Sequence, residues 1–146
     1  MMDIPEKYST PCLVIDVQKV KDNYKRLVDL QIGEVFYAMK ANSGQHVLDA
    51  LADLGSSFDC ASMGEINTIL NMGVSPDRIS FGNTIKKERD IALAYEKGIS
   101  LFVLDSDEEL EKLSRENNML RLEVEKLHIR VDSLQTQIKS PQGSFQ

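Results

Sequence analysis

The sequence lacks the segments that carry a chain into a membrane or out of the cell. No apolar run approaches the roughly 18 residues that span a bilayer. The N-terminus has no basic region followed by an apolar stretch. Cysteine is scarce, with only Cys12 and Cys60. Because no secretion signal is visible, we expect both to be reduced thiols in a cytoplasmic protein.

Positive charge is also in deficit. Seventeen Lys and Arg residues stand against 23 Asp and Glu residues, which gives a formal net charge of −6 at pH 7. An acidic protein of this kind is poorly suited to a nucleic-acid or anionic-membrane surface. We therefore expect neither partner, and we predict no metal site.

Short strand signals alternate with helical signals over the first two thirds of the chain. Strands are predicted at 12–16, 34–39, 57–61, 78–82 and 99–104, with helices between them that stop near Gly55, Gly73 and Gly98. Two Ser-x-x-Glu capping boxes, Ser62 to Glu65 and Ser106 to Glu109, begin two of these helices. The alternation predicts an α/β fold with parallel strands, a partial (β/α) TIM-type barrel. After the first strand it has four β/α repeats of the eight that closure requires, which leaves two unpaired sheet edges.

From Leu110 onward the apolar period becomes seven residues. β-Branched residues dominate one heptad position, where Asn117 is the single polar residue, and leucine fills the other. This choice favours a parallel two-stranded coiled coil whose register is set by the asparagine. We therefore predict a partial barrel over 1–108, a long zipper-like helix over 109–140 and a disordered tail over 141–146. The predicted homodimer seam comprises Leu113, Asn117, Leu120, Leu127 and Leu134.

Other interpretations of this helix have to be considered. It could pack on its own barrel, because Met119, Leu122 and Ile129 lie outside the seam. It also resembles the zippers of DNA-binding proteins locally, but those need a basic helix directly upstream. The upstream residues DSDEELEKLSRE are acidic, so we expect no DNA binding.

Lys40 follows the predicted strand VFYAM and is the first candidate for chemistry. A lysine at a strand end is commonly no more than a solvated charge. In a parallel β/α barrel, however, the carboxyl ends of the strands line the active face. A partly desolvated lysine at that rim is a usable nucleophile and can form a Schiff base with an aldehyde cofactor.

Five segments together resemble one enzyme family. They are TPCLVID, FYAMKAN, VLDALADLGSSFDCASMGEI, GVSPDRISFGN and LFVLDSDEELEKL. Their order and spacing resemble the pyridoxal-phosphate-dependent decarboxylases of the alanine racemase fold, which act on ornithine, lysine, diaminopimelate or arginine. FDCAS looks most like the ornithine/lysine branch, which implies a role in polyamine biosynthesis. The resemblance covers about residues 8–113.

The resemblance implies a cofactor site with three residues. Lys40 would be the catalytic lysine that binds pyridoxal 5'-phosphate covalently, with Asp59 close to it and Glu65 extending the same polar cluster. Each carboxylate also has a structural interpretation, Asp59 as an ordinary residue before a helix and Glu65 as a capping-box partner. Cys60 and His46 are expected to be a packing residue and a surface residue, respectively.

The family pattern stops near Leu113, so we expect no decarboxylation by this chain alone. The resemblance implies four further parts that we do not find: a histidine that stacks on the pyridine ring, a glycine-rich phosphate loop, a Glu-Pro-Gly-Arg segment and a β-rich second domain that pairs with the strand at 12–16. Three functions stay open. They are the N-terminal part of a decarboxylase, a dimerising module that pairs with itself or a full-length decarboxylase, and a fusion or truncation product without a selected function.

Overall fold

The computed structural model describes residues 8–118, which are built around a four-stranded sheet. The strands are β1 (Phe36–Ala38), β2 (Ser57–Cys60), β3 (Ile79–Phe81) and β4 (Leu101–Phe102). They pair in sequence order, and all three pairs are parallel. The predicted parallel repeats are confirmed in this part of the chain, although every strand is shorter than predicted.

Helices precede the sheet and follow its strands. They are α1 (Val17–Val28), α2 (Gln45–Ala52), α3 (Met63–Asn71), α4 (Glu88–Glu96) and α5 (107–118). Gly55, Gly73 and Gly98 follow α2, α3 and α4 with φ of +84°, +82° and +87°, which confirms them as the predicted stops. No helix among residues 8–118 combines the length and apolar character that crossing a bilayer requires.

The helices cover one face of the sheet and form the core with it. Phe58, Cys60, Ile79 and Phe81 point to this face and are at most 1% exposed. They pack with fully buried residues of α2 and α3, such as Leu48 and Ile66. Complete burial of each large apolar side chain stabilises the fold by about 1.5–3 kcal/mol.

The opposite face of the sheet is more polar and less covered. Ala38, Asp59, Ser80 and Leu101 are neighbours in register across the four strands. Because strand side chains alternate between faces, these four residues lie on the face away from the core. We call this row the open face. Leu101 is 46% exposed there, at the edge of a sheet in which β1 and β4 each have a single neighbour.

The strand predicted at 12–16 is wrong, because these residues belong to no strand of the described sheet. A strand needs a neighbour for its backbone donors and acceptors, and the described sheet offers none here, so Leu13 is 87% exposed. Asp16 instead caps α1 by accepting a hydrogen bond from the Lys19 amide at 3.0 Å.

The predicted apolar stripe of α1 is only partly buried. Val20 and Tyr24 pack against the core cluster. Leu27 and Val28, further along the same stripe, are 51% and 43% exposed. The helix therefore packs against the core through Val20 and Tyr24, and the end of its stripe is more exposed.

The predicted zipper lies mainly outside the described residues. Leu120, Leu127 and Leu134 are among these undescribed positions, so the coiled coil and the division at residue 108 stay predictions. Within α5, Leu113 borders a cavity of about 380 Å³ together with residues of α4 and β4. Asn117 is exposed.

Candidate functional site

Lys40 lies just beyond the carboxyl end of β1, in the 3-10 turn Met39–Ala41. The strand ends at Ala38 and not at Met39, so the prediction that Lys40 directly follows the strand is wrong by one residue. Met39 is 3% exposed and belongs to the core, whereas Lys40 is exposed. The turn is therefore anchored by its first residue and presents the amine of its second residue to solvent.

The chain after Lys40 is also held in place. The hydroxyl of Tyr37 donates to the backbone oxygen of Asn42 at 3.0 Å, and the side-chain oxygen of Asn42 accepts from the Gly44 amide at 2.8 Å. Burial raises the pKa of Tyr37, so this phenol remains a neutral donor. The Lys40 turn is thus fixed on both sides.

Asp59 lies on β2, in register with Ala38 of β1. Its Oδ1 accepts a hydrogen bond from the Ser80 hydroxyl at 2.6 Å. Gly82 lies so close to Asp59 that any Cβ there would overlap the carboxylate. Asp59 and the Lys40 turn therefore lie at the same edge of neighbouring strands, and the carboxylate contacts both Ser80 and Gly82. A direct contact between Lys40 and Asp59 stays a prediction.

Glu65 lies in the first turn of α3. The Ser62 hydroxyl accepts from the Glu65 amide at 3.3 Å, which confirms the serine half of the predicted capping box. The glutamate differs from the expected pattern, because its Oε2 accepts from the amide of Ala61, the residue before the cap, at 2.6 Å. Ala61 follows Asp59 by two residues, so Glu65 anchors the chain between Asp59 and α3. Its role in the cofactor site stays a prediction.

Cys60 and His46 have the positions that we expected. Cys60 is completely buried, and burial, reinforced by the charges of Glu65 and Asp59, raises the pKa of its thiol to about 12. His46 is exposed. Within residues 8–118, no group of three or more His, Cys, Asp or Glu side chains is arranged to hold a metal ion.

Sequence reasoning missed two residues that hold the Asp59 carboxylate. Ser80 and Gly82 lie on β3 and directly after it, 21 and 23 positions after Asp59. The pattern SFDC followed by ISFG would have revealed Ser80 if the two strands had been aligned in register. The close approach of Gly82 depends on how the chain leaves β3, and no short pattern predicts that.

A family model described as "Pyridoxal-dependent decarboxylase, pyridoxal binding domain" matches residues 16–144 of this chain. The match reaches beyond residue 113, where we expected the resemblance to stop. It covers well over half of the sequence.

Individual relatives agree with the family match. The chloroplastic ornithine decarboxylase of Nicotiana glutinosa is 38% identical over 119 residues, which cover 70% of this chain and 28% of the relative. The lysine/ornithine decarboxylase of Selenomonas ruminantium is 34% identical over 113 residues, which cover 77% of this chain and 29% of the relative. The solved structure of SrLDC in complex with PLP and cadaverine matches with a TM-score of 0.68 and 35% identity. The match covers 76% of this chain and 29% of that structure's chain. The chain thus spans less than a third of the length of these relatives.

Proposed function

This chain belongs to the pyridoxal-dependent decarboxylase family, and we propose that it is the cofactor-binding N-terminal part of an enzyme that decarboxylates ornithine or lysine. Lys40 binds pyridoxal 5'-phosphate covalently, and Asp59 and Glu65 belong to the same site. The register between β1 and β2 carries this proposal, because it brings the Lys40 turn and Asp59 to one edge of the sheet. The substrate class is supported by the relatives that act on ornithine and lysine.

The residues at this edge suit an aldehyde cofactor. An exposed primary amine on an anchored turn is accessible to an aldehyde carbon. A carboxylate at the same edge complements the positive charge that such an amine carries when protonated. Pyridoxal phosphate, when bound, supplies an electron sink for the electron pair that remains when carbon dioxide leaves the substrate.

The role of the surrounding residues is to hold these groups before any ligand arrives. Ser80 fixes one oxygen of Asp59 by a hydrogen bond, and Gly82 limits the movement of the carboxylate. Glu65 fixes the backbone two residues further on. Polar groups that are oriented in advance need not reorganise during a reaction, which is a large part of what a protein contributes to catalysis.

The assignment of Lys40 is tested by trapping. The chain is incubated with pyridoxal phosphate, its visible absorbance is recorded, and the bound cofactor is reduced with borohydride and mapped by peptide mass spectrometry. We expect the modification to concentrate on Lys40 and to be lost in Lys40→Arg. Lys97→Arg is the matched control, because Lys97 is an exposed lysine at the end of α4. Equal labelling of exposed lysines in the unmutated chain would refute the assignment.

We further propose that the 146-residue chain alone does not release carbon dioxide from ornithine or lysine. The chain covers 28–29% of these relatives, and a preorganised active site needs all of its parts. Radiolabelled carbon dioxide release measures this directly. Robust turnover by the pure chain would overturn it.

A second candidate function is dimerisation through residues 109–140. The heptad pattern favours it, and in the described part of that segment Leu110 is 53% exposed and Asn117 is exposed. We propose a second copy of this chain as the partner. Light scattering should then give twice 16.4 kDa, with loss of the dimer in Leu120→Pro and retention in Ser140→Pro, which lies beyond Leu134, the last residue of the predicted seam. A monomer in the unmutated chain would rule out this function.

A further inference from the structure

A buried ion pair lies close to the candidate site but outside it. Lys86 follows β3 and is 3% exposed, and Glu109 lies in the first turn of α5 and is 2% exposed. The Lys86 ammonium nitrogen is 3.5 Å from Oε2 of Glu109. Lysine and glutamate are among the residues that are least often buried completely, so this pair calls for an explanation.

The Lys86 ammonium group is held by groups from three parts of the chain. Besides its contact with Glu109, it donates to the backbone oxygen of Asn83 at 2.8 Å and to that of Val103 at 2.6 Å. An ammonium group has three donors and no acceptor. Two of these donors are therefore used in backbone hydrogen bonds, and the charge is paired with Glu109.

Glu109 is held as firmly as Lys86. Its Oε2 accepts from the Lys86 amide at 3.2 Å, and its Oε1 pairs with Lys112. Lys112 in turn donates to the backbone oxygen of Lys86 at 3.0 Å. We call Lys86, Glu109 and Lys112 the loop clamp, because they join the segments that leave β3 and β4 to the start of α5.

The loop clamp is connected to Asp59 through the backbone. Asn83, whose carbonyl the clamp holds, is the residue after Gly82. Gly82 donates its amide to the backbone oxygen of Cys60 at 2.7 Å and lies directly against the Asp59 carboxylate. A shift of the chain at Asn83 would therefore move the surface on which Asp59 rests.

Stability alone is a weak reason for this arrangement. Replacing a buried ion pair with apolar residues of similar volume is often neutral or stabilising. A buried charge that is hydrogen-bonded to the backbone has the advantage of direction, because each such bond fixes one particular backbone atom. The two backbone atoms that Lys86 fixes, the oxygens of Asn83 and Val103, lie in the segments that leave β3 and β4.

We propose that Lys86 is a positioning residue for the cofactor site, which holds the backbone at Gly82 so that the Asp59 carboxylate keeps its orientation. Lys86 does not touch the cofactor. Glu109 and Lys112 keep its ammonium group in place. The functional part of this inference rests on the proposed role of Asp59 and Lys40.

The test compares Lys86→Met with Lys87→Met. Methionine is close to lysine in length but has no charge or donors, and Lys87 is the exposed neighbour whose side chain makes no capping bond. Three quantities are measured on each folded full chain. They are the carboxyl carbon chemical shift of Asp59, amide exchange at residues 82–85, and the dissociation constant of pyridoxal phosphate from its visible absorbance.

For Lys86→Met we expect a displaced Asp59 resonance, faster amide exchange at 82–85 and an affinity for pyridoxal phosphate lower by about tenfold, as for other groups that orient a ligand-binding residue indirectly. Lys86→Arg, which keeps charge and donors, should restore part of each value. Lys87→Met should match the unmutated chain. If Lys86→Met does not fold, the double variant Lys86→Met, Glu109→Gln removes both charges together and is measured in the same way.

The possible failures are distinguishable. A purely structural role would lower the urea midpoint of the folded variant while leaving the Asp59 resonance unchanged, and that result would overturn the inference. If the resonance moves but borohydride does not label Lys40 in the unmutated chain, the loop clamp stands and the proposed function fails.

Discussion

Helices α3 and α5 begin with the same Ser-x-x-Glu signature but use its glutamate differently. In both helices the serine hydroxyl accepts from the glutamate amide at 3.3 Å. Glu65 then stays local and accepts from the amide of Ala61 at 2.6 Å. Glu109 pairs with Lys86, which follows β3, and with Lys112 of its own helix.

The difference separates what a short pattern determines from what the fold decides. The serine hydrogen bond joins residues three positions apart, so it forms where a helix begins with a serine at its N-cap. The glutamate side chain is longer, so its partner depends on which groups the rest of the fold brings near it. At α3 the partner is the amide of Ala61, directly after β2. At α5 it is a buried lysine, 23 residues earlier in the chain.

The largest expected effect is on stability. Glu109→Gln should lower the free energy of unfolding by about 3 kcal/mol, because it leaves the buried Lys86 charge without its counter-charge. Glu65→Gln should cost about 1 kcal/mol, since the amide side chain can still accept from Ala61. Urea unfolding followed by circular dichroism measures both. Equal losses would mean that the two glutamates contribute equally to the free energy of unfolding. Glu96→Gln, on the exposed end of α4, serves as the control.

A smaller effect is expected in the dependence of stability on pH. Burial acts to raise the pKa of Glu109, but hydrogen bonds from Lys112 and the Lys86 amide, with the charges of both lysines, lower it overall. A depressed folded-state pKa gives stabilisation that is present above the ordinary carboxyl pKa and is lost as pH falls through the folded value.

The urea midpoint of the unmutated chain should therefore fall more steeply on acidification than that of Glu109→Gln. Glu96→Gln should follow the unmutated chain. Parallel curves for Glu109→Gln and the unmutated chain would show that Glu109 does not contribute to acid sensitivity.

The comparison of the two helix starts also explains how far the sequence predicts the fold. The four parallel strands and the glycine stops depend on local period and backbone preference, and they were predicted correctly. The strand at 12–16 was wrong, because a strand is defined by a neighbour and Leu13 has none beside it in the described sheet. The shortness of β4 has the same origin, since it pairs on one side only.

The candidate site was predictable to a similar degree. Lys40 was predicted from its position after a strand and from the family resemblance, and Asp59 from the resemblance alone. The register between β1 and β2 brings them to one edge, and their roles stay predictions. Ser80 needed that register before it could be connected with Asp59. The pair of Lys86 and Glu109 needed the paths of two loops, which have no period and no signature.

The smallest expected effect is on the pKa of Cys60, which is raised by the charge of Glu65 but not by that of Glu109. Burial is the main cause that raises the pKa of this thiol from 9.0 to about 12, and Glu65 is the second. The raised value gives stabilisation that is fully present below pH 9 and is lost as pH rises through the folded value. Glu65→Gln should lower the pKa slightly, and Glu109→Gln should leave it unchanged.

Thiol labelling at pH 8.5 measures whether burial or the charge of Glu65 chiefly protects the Cys60 thiol. Cys12 is exposed and Cys60 is buried, so the native chain should react once, at Cys12, and a second time only after unfolding. Because burial outweighs the Glu65 charge, both glutamine variants should also give one fast thiol as long as they stay folded. A second fast thiol in folded Glu65→Gln, absent from folded Glu109→Gln, would mean that the charge beside α3 protects Cys60 more than burial does.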